Sequence, residues 1–270
     1  MKLHYLNCGT MFPKLAKWFI PQLRWVPAIC ILVEKADSFL LIDTGYGTLD
    51  MADTSRLGPA NKVINARPNM EETAIYQLKK MGIDPERVEN IICTHLDADH
   101  AGGLSDFPWA NVHVMRKEYL AVVEPKNPAE KRRYRRCQME HGPRWVLHEE
   151  SEISEQKWFG LECIRNIDGL PPEIVLIPLY GHTRGHCAVA IDTGEGWVLY
   201  CGDTYYVSHE LSGRAPIGIT LFEMAAHTYY PMAKASLEKL KTALAVAKQQ
   251  VTPVAPHDPA TFRRLFGTSR

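Results

Sequence analysis

Hydrophobic positions along the chain follow two periods, and their alternation predicts the elements. From 28 to 43, AICILVEKADSFLLID reads as two β-rich runs joined at Lys35 to Ser38, a hairpin signal, and Thr44, Gly45 and Gly47 then make a sharp turn. In EETAIYQLKKM, 71 to 81, Ala74, Ile75, Leu78 and Met81 recur at helical spacing and Gly82 stops the pattern. That helix delivers the chain to VENIICT, 88 to 94, a strand whose isoleucine pair predicts burial on both faces and which runs straight into His95. NVHVM (111 to 115) reads as another strand and RKEYLAVV (116 to 123) as a helix, so the first half alternates strand and helix as layered α/β folds do.

A polar, proline-broken region spans 124 to 150. Beyond it come three strand-like runs, EIVLIPL (173 to 179), CAVAID (187 to 192) and WVLYCGD (197 to 203). The last two are joined by a turn at Thr193 to Gly196. PMAKASLEKLKTALAVAKQQ (231 to 250) predicts an amphipathic helix with Pro231 in its first turn, and VTPVAPHD returns as a short strand ending at His257. No internal repeat interrupts this order, and one domain over 1–270 is expected, with an aromatic arm at about 11–27 and an insertion or lid at about 124–150.

Composition narrows the function classes. With 46% hydrophobic residues the chain can bury a sizeable core. Lysine plus arginine equals aspartate plus glutamate at 31 each, so neither nucleic acid nor an anionic membrane is the expected partner, and a small molecule is. Seven cysteines, at 8, 30, 93, 137, 163, 187 and 201, are odd in number and form no C-x-x-C, which disfavours a disulfide framework or a zinc ribbon. With no secretory pattern at the N-terminus and apolar runs only of strand length, a cytoplasmic location is expected.

The densest chemistry is THLDADHAGG, in which His95, Asp97, Asp99 and His100 fall within six residues. Imidazole and carboxylate are the usual ligands of hydrolytic divalent metals, and in a tight loop such side chains can splay toward two neighbouring centres. Gly102 and Gly103 let the backbone fold close beneath them. Two such residues would suit an ordinary polar surface loop; four followed by Gly-Gly favour a metal site.

Three later pieces, each at the end of a predicted strand, join this cluster: Gly181-His182-Thr183, Gly202-Asp203 and Pro256-His257-Asp258. The series HLDADH, GHTRGH, CGD, APH, spanning about 29 to 258, resembles the metallo-β-lactamase superfamily. The resemblance implies an αββα four-layer sandwich with two divalent metal ions at one edge. It implies that His95, Asp97 and His182 hold the first ion, Asp99, His100 and His257 the second, and Asp203 both. Two departures stand out: Asp97 where the family usually has a histidine, and Arg184 where it usually has a proline. Zinc is the first expectation, while the harder Asp97 site also admits iron or manganese.

Within the superfamily the likeness is greatest to the N-acyl homoserine lactonase group, which implies a metal-dependent hydrolase of a carboxylic ester, foremost a lactone. Asp99 would then move the proton, and Tyr206, three positions after Asp203, would point its phenol at the substrate carbonyl; the alternative for Tyr206 is a core contact. Thioesterase, phosphodiesterase and non-catalytic metabolite binding are the rival readings, and a homodimer is compatible with all of them. His186 reads as a packed or supporting histidine, His227 as loop or pocket wall, and Cys93 and Cys201 as strand packing. The basic run KRRYRR, 131 to 136, is either a solvated helix face or a lid that attracts an anionic substrate group. Trp18, Phe19 and Trp25 in the arm suggest a pocket wall or a dimer contact.

Overall fold

The computed structural model describes residues 1–14, 16, 20–36 and 38–267; Trp18 and Phe19 lie outside them. Strands β1 (Lys2–Met11), β2 (Val26–Lys35), β3 (Ser38–Ile42), β4 (Ala66–Arg67), β5 (Val88–Ile92), β6 (Asn111–Met115) and β7 (Arg144–His148) form one sheet, in the order β4-β1-β2-β3-β5-β6-β7. Strands β8 (Ile174–Pro178), β9 (Cys187–Asp192), β10 (Trp197–Tyr200) and β11 (Val251–Val254) form the other, in the order β11-β10-β9-β8. The hairpin expected at Lys35 to Ser38 is the antiparallel β2–β3 pair, and β5, β6 and β7 follow β3 in parallel.

Nearly continuous apolar runs are explained by cores on both faces of each sheet. Ile31, Val33, Leu40, Ile42 and Ile92 face Ile174, Leu176, Val189, Ile191 and Val254 between the sheets. Their neighbours Leu32, Leu41 and Ile91 point the other way, onto Ala74 and Leu78 of helix Ala74–Lys80 and Ala121 of helix Arg116–Val123. On the far side, Leu237, Leu240, Ala243 and Ala247 of helix Tyr230–Ala247 cover Val175, Ile177, Ala188, Ala190 and Leu199. The layers run helix, sheet, sheet, helix: the αββα sandwich.

Three strands escaped the hydrophobic pattern: β1, the two-residue β4 and β7. In β1, Lys2 and His4 look solvent-seeking, yet they pair across the ladder with Glu34 of β2, His4 Nε2 lying 2.7 Å from Glu34 Oε2. Strand β7 lies in the proline-broken region as an edge strand. Pro128 there begins helix Pro128–Arg133, with the Asn127 side chain accepting from Glu130 N, so the proline marks a helix start. Helix Ile217–Ala226 was also not anticipated. Its apolar residues go all round, leaving Ile217, Leu221 and Met224 exposed.

Backbone bonds tie the strand ends of the two sheets into one edge. Cys187 N donates to Thr94 O (3.0 Å), Ile29 N to Pro256 O (3.1 Å), Cys201 N to Val254 O (2.9 Å) and Asp43 N to Ile92 O (2.8 Å). Every loop that follows β3, β5, β8, β10 and β11 therefore opens on the same place.

Candidate metal centre

At that place the structure brings together all seven residues singled out in the sequence. The ligand atoms within each of three groups, His95–Asp97–His182, Asp99–His100–His257 and His95–His100–Asp203, all lie within 4.8 Å of one another. Asp203 joins the first two groups: Oδ1 lies 3.2 Å from both His100 Nε2 and His257 Nε2, and Oδ2 lies 3.3 Å from His182 Nε2. Asp97 Oδ2 is 3.3 Å from both His95 Nε2 and His182 Nε2, and Asp99 Oδ2 is 3.5 Å from His257 Nε2.

The orientation of the imidazoles is the informative part. His100 Nδ1 is held by Asp43 Oδ2 at 2.7 Å, His257 Nδ1 by the Pro27 carbonyl at 2.7 Å, and His95 Nδ1 by Thr94 Oγ1 at 3.1 Å. His182 Nδ1 faces His227 Nδ1 at 3.0 Å. Each Nδ1–H is thus donated to the protein, which leaves each Nε2 as a lone pair aimed inward, the arrangement that metal-binding histidines adopt. His100 and His257 present their Nε2 atoms to each other at 3.0 Å, where a cation shared between lone pairs is favoured over two bare acceptors. His95 Nε2 and Asp203 Oδ1 are buried without a hydrogen-bond donor. This donor set, imidazole nitrogens and carboxylate oxygens, fits divalent ions.

Local sequence explains how the loop folds so tightly. After β5 the chain makes one helical turn, Ala98–Ala101, and continues through Gly102–Asp106 against the turn that follows β3. Thr44 N and Oγ1 both donate to the His100 carbonyl, and Gly103 N donates to the Gly45 carbonyl. A Cβ on Gly102 would sit 2.4 Å from Asp50 Oδ2, and one on Gly103 2.9 Å from Thr44 Cβ, so these glycines serve close approach. At the second loop a Cβ on Gly181 would meet Ala233 N at 2.0 Å, and its φ of 130° excludes other residues.

Several supporting residues were not singled out in the sequence. Buried Asp43, the first residue after β3, accepts from Thr94 N and Oγ1 (both 2.7 Å), from His100 Nδ1 and from the Tyr200 hydroxyl (3.0 Å). Burial would raise its pKa, but His100 and His95 outweigh that and hold the carboxyl below its ordinary value. Buried Glu118 joins the His95 loop to the His182 loop by accepting from Leu96 N and Gly185 N, both at 3.0 Å, while Tyr134 OH donates to it at 2.9 Å. The only visible sequence signal for either was an acidic residue at a strand end or inside an apolar helix.

His186 is packed against Asp203: its Nε2 accepts from Asp203 N at 2.9 Å and its Nδ1 donates to the Leu179 carbonyl at 2.8 Å. Burial pushes its pKa down to about 3, so it stays neutral. His227 faces His182 rather than solvent, and burial lowers it to about 4. Cys93 and Cys201 pack in the cores, and so does Tyr205. Trp25 packs edge-on against Phe262, with ring centroids 4.7 Å apart. Trp25 is not among the cavity-lining residues, which corrects the pocket-wall alternative for it.

The basic run divides. Arg132 and Arg136 are exposed, Arg135 Nε donates to the Arg56 carbonyl, and Arg133 reaches the centre. Its Nε donates to Asp97 Oδ1 at 2.7 Å, and its Nη2 lies 2.5 Å from both Asp97 Oδ2 and His182 Nε2. Burial would raise the Asp97 pKa, but the Arg133 charge, with His182 and His95, holds it well below the usual carboxylate range.

Beside the centre lies a cavity of about 660 Å³. Met11, Ile20, Leu23, Val26 and Ala16 from the arm region and Leu221, Phe222 and Ala225 from helix Ile217–Ala226 give it apolar walls, with Asp97, Asp99, His182, Asp203 and Tyr206 at its polar end. The Tyr206 hydroxyl lies 3.2 Å from His182 Nδ1, and burial, reinforced by the Asp203 charge, pushes its pKa well up, so it keeps its proton. The backbone N–H groups of Tyr206 and Val207 donate to Glu210 Oε1 (2.8 and 2.9 Å).

Asp43→Asn removes the charge beside His100 and, with its amide oxygen kept on Thr94 N, turns an NH2 donor toward His100 Nδ1 in place of the acceptor Oδ2; it is expected to weaken metal binding about 10–100-fold, read by metal titration of the folded variant. Burial and the neighbouring Glu223 raise the Glu210 pKa from 4.5 to about 8. A folded-state pKa above the unfolded one means that the folded chain holds the extra proton. Stability should therefore fall as pH rises from about 4.5 to about 8. Glu210→Gln keeps the Oε1 acceptor and should flatten that slope in urea unfolding at a series of pH values.

Comparisons with known proteins agree with this geometry. The model of the metallo-β-lactamase superfamily matches residues 23–247. A probable metallo-hydrolase of Mycobacterium bovis is 38% identical over 216 residues, 79% of this chain, and the chain spans 66% of that relative's length, just under two thirds. An N-acyl homoserine lactonase of Bacillus thuringiensis is 24% identical over 194 residues, 71% of this chain and 69% of the relative. Among solved structures, a variant of B. thuringiensis AiiA with N-decanoyl-L-homoserine at its active site superposes with a TM-score of 0.71 at 22% identity. That match covers 97% of this chain and 95% of that one. The dizinc quorum-quenching lactonase AidC superposes with a TM-score of 0.61 at 18% identity, covering 95% and 87%. These structures share the fold; the family match establishes the lineage. The chain belongs to the metallo-β-lactamase superfamily.

Proposed function

We propose that the protein is a metal-dependent hydrolase of carboxylic esters, foremost lactones with an apolar acyl chain. The observation that carries this is the convergence of four imidazole Nε2 atoms and three aspartates in one cluster at the end of an apolar cavity. His95, Asp97 and His182 would hold one ion, Asp99, His100 and His257 another, and Asp203 both, with zinc first and iron or manganese admitted by Asp97. When bound, the ions supply an activated water and a Lewis acid for the acyl oxygen.

The chain's own residues do the rest. Asp99, at the cavity's polar end, accepts the nucleophile's proton and returns it to the leaving alkoxide. With Nε2 of His182 facing inward, its Nδ1 carries the proton and the Tyr206 oxygen can accept from it. The phenolic hydrogen of Tyr206 is then free to donate to the developing oxyanion. The apolar walls take the acyl chain, and each buried methylene adds about 0.8 kcal/mol of binding.

The lactonase relative and the AiiA structure, which holds an acyl homoserine, support the choice of substrate class. Chelated protein should be inert and reconstituted protein should open N-acyl homoserine lactones, with KM falling as the acyl chain lengthens. Turnover of thioesters or phosphodiesters with lactones untouched would remove the lactonase reading, and binding without turnover would favour a non-catalytic member. Tyr206→Phe is expected to lower kcat about 10²-fold while leaving metal content unchanged; an unaltered kcat would return Tyr206 to a packing role.

A further inference from the structure

The first group of ligand atoms already meets a cation that belongs to the protein. Arg133 ends helix Pro128–Arg133, and its guanidinium grips both oxygens of Asp97 while Nη2 lies 2.5 Å from His182 Nε2. Nη1 donates to the Ala226 carbonyl at 2.6 Å and to Thr228 Oγ1 at 3.3 Å. The fork is therefore fixed from behind by the backbone that leaves helix Ile217–Ala226. A bidentate guanidinium–carboxylate pair is the strongest of the charge-assisted arrangements.

The consequence follows from counting lone pairs. An imidazole Nε2 has one, and when it accepts from an arginine N–H it has none for an ion. Asp97 Oδ2 carries the same guanidinium charge at 2.5 Å, where a second cation would be repelled. The second group differs. Asp99, His100 and His257 have imidazoles and carboxylates as near neighbours, and among the described residues no arginine or lysine pairs with them. The histidine usual in this family at position 97 offers a guanidinium no carboxylate, so the aspartate and the arginine form one device.

We propose that Arg133 gates the first metal position, so that the centre loads in two unequal steps. The first ion takes Asp99, His100, His257 and Asp203. The next enters at His95, Asp97 and His182 only as the guanidinium leaves Asp97 and His182. This rests on the metal-centre reading above but is independent of which ester is cleaved.

The test is metal titration of the full chain after chelation, with zinc followed by calorimetry and cobalt by visible absorption. Wild type should bind two ions with the second step at least about tenfold weaker than the first, and Arg133→Met should tighten that second step at least about tenfold with the first unmoved. Arg133→Lys, which keeps the charge but cannot fork across both oxygens, should fall between them and serves if the methionine variant does not fold. Two equal steps in wild type, or a second step unmoved or weakened in both variants, would overturn the gate. Absence of any binding would overturn the metal centre itself, whereas lactone inactivity beside the expected loading pattern would overturn only the substrate reading.

Discussion

Charge compensation in a dry place governs this molecule. Asp43, Asp97 and Asp203 lie at or near an edge where two sheets meet, with His95, His100, His182 and His257 around them almost inaccessible to solvent. Carboxylates removed from water are costly unless cations or N–H donors replace their hydration. The protein supplies part of that replacement, through Thr94 and Tyr200 at Asp43 and Arg133 at Asp97, and leaves Asp203 Oδ1 and His95 Nε2 with nothing to bond. Those unmet groups define where added positive charge is most favoured.

The rest of the architecture serves to hold the cluster under that tension. Sheet-to-sheet backbone bonds fix the strand ends, Glu118 fastens the His95 loop to the His182 loop, and close-packed glycines remove the space in which either loop could relax. Because the seven clustered side chains come from four separate loops, their geometry is set by the cores beneath them. The apolar cavity opens beside the cluster where the N-terminal arm and helix Ile217–Ala226 approach each other.

Much of this was legible in the sequence because it is local. A strand buried on both faces, an Asp-rich turn after it, and glycines beyond can be read at 88–103, and the later His182, Asp203 and His257 announce themselves in the same way. What stayed hidden depends on distant partners. Arg133 sits in a run of cations that individually favour solvent, and only its meeting with Asp97, 36 residues away, distinguishes it from Arg132. Strand β1 conceals itself because Glu34 neutralises its polar face, and Asp43 because a carboxylate that orients a histidine looks like any turn aspartate. Position 97 stands out in the sequence as a departure from the usual histidine, but its partner Arg133 is visible only in the fold.

Anomalous diffraction from crystals of the zinc-loaded protein tests the central claim most directly. Two anomalous peaks are expected, one among His95, Asp97 and His182 and one among Asp99, His100 and His257, with Asp203 between them and Arg133 turned away from Asp97. Zinc bound elsewhere on the chain, with these imidazoles still facing one another and the cluster metal-free, would contradict the account.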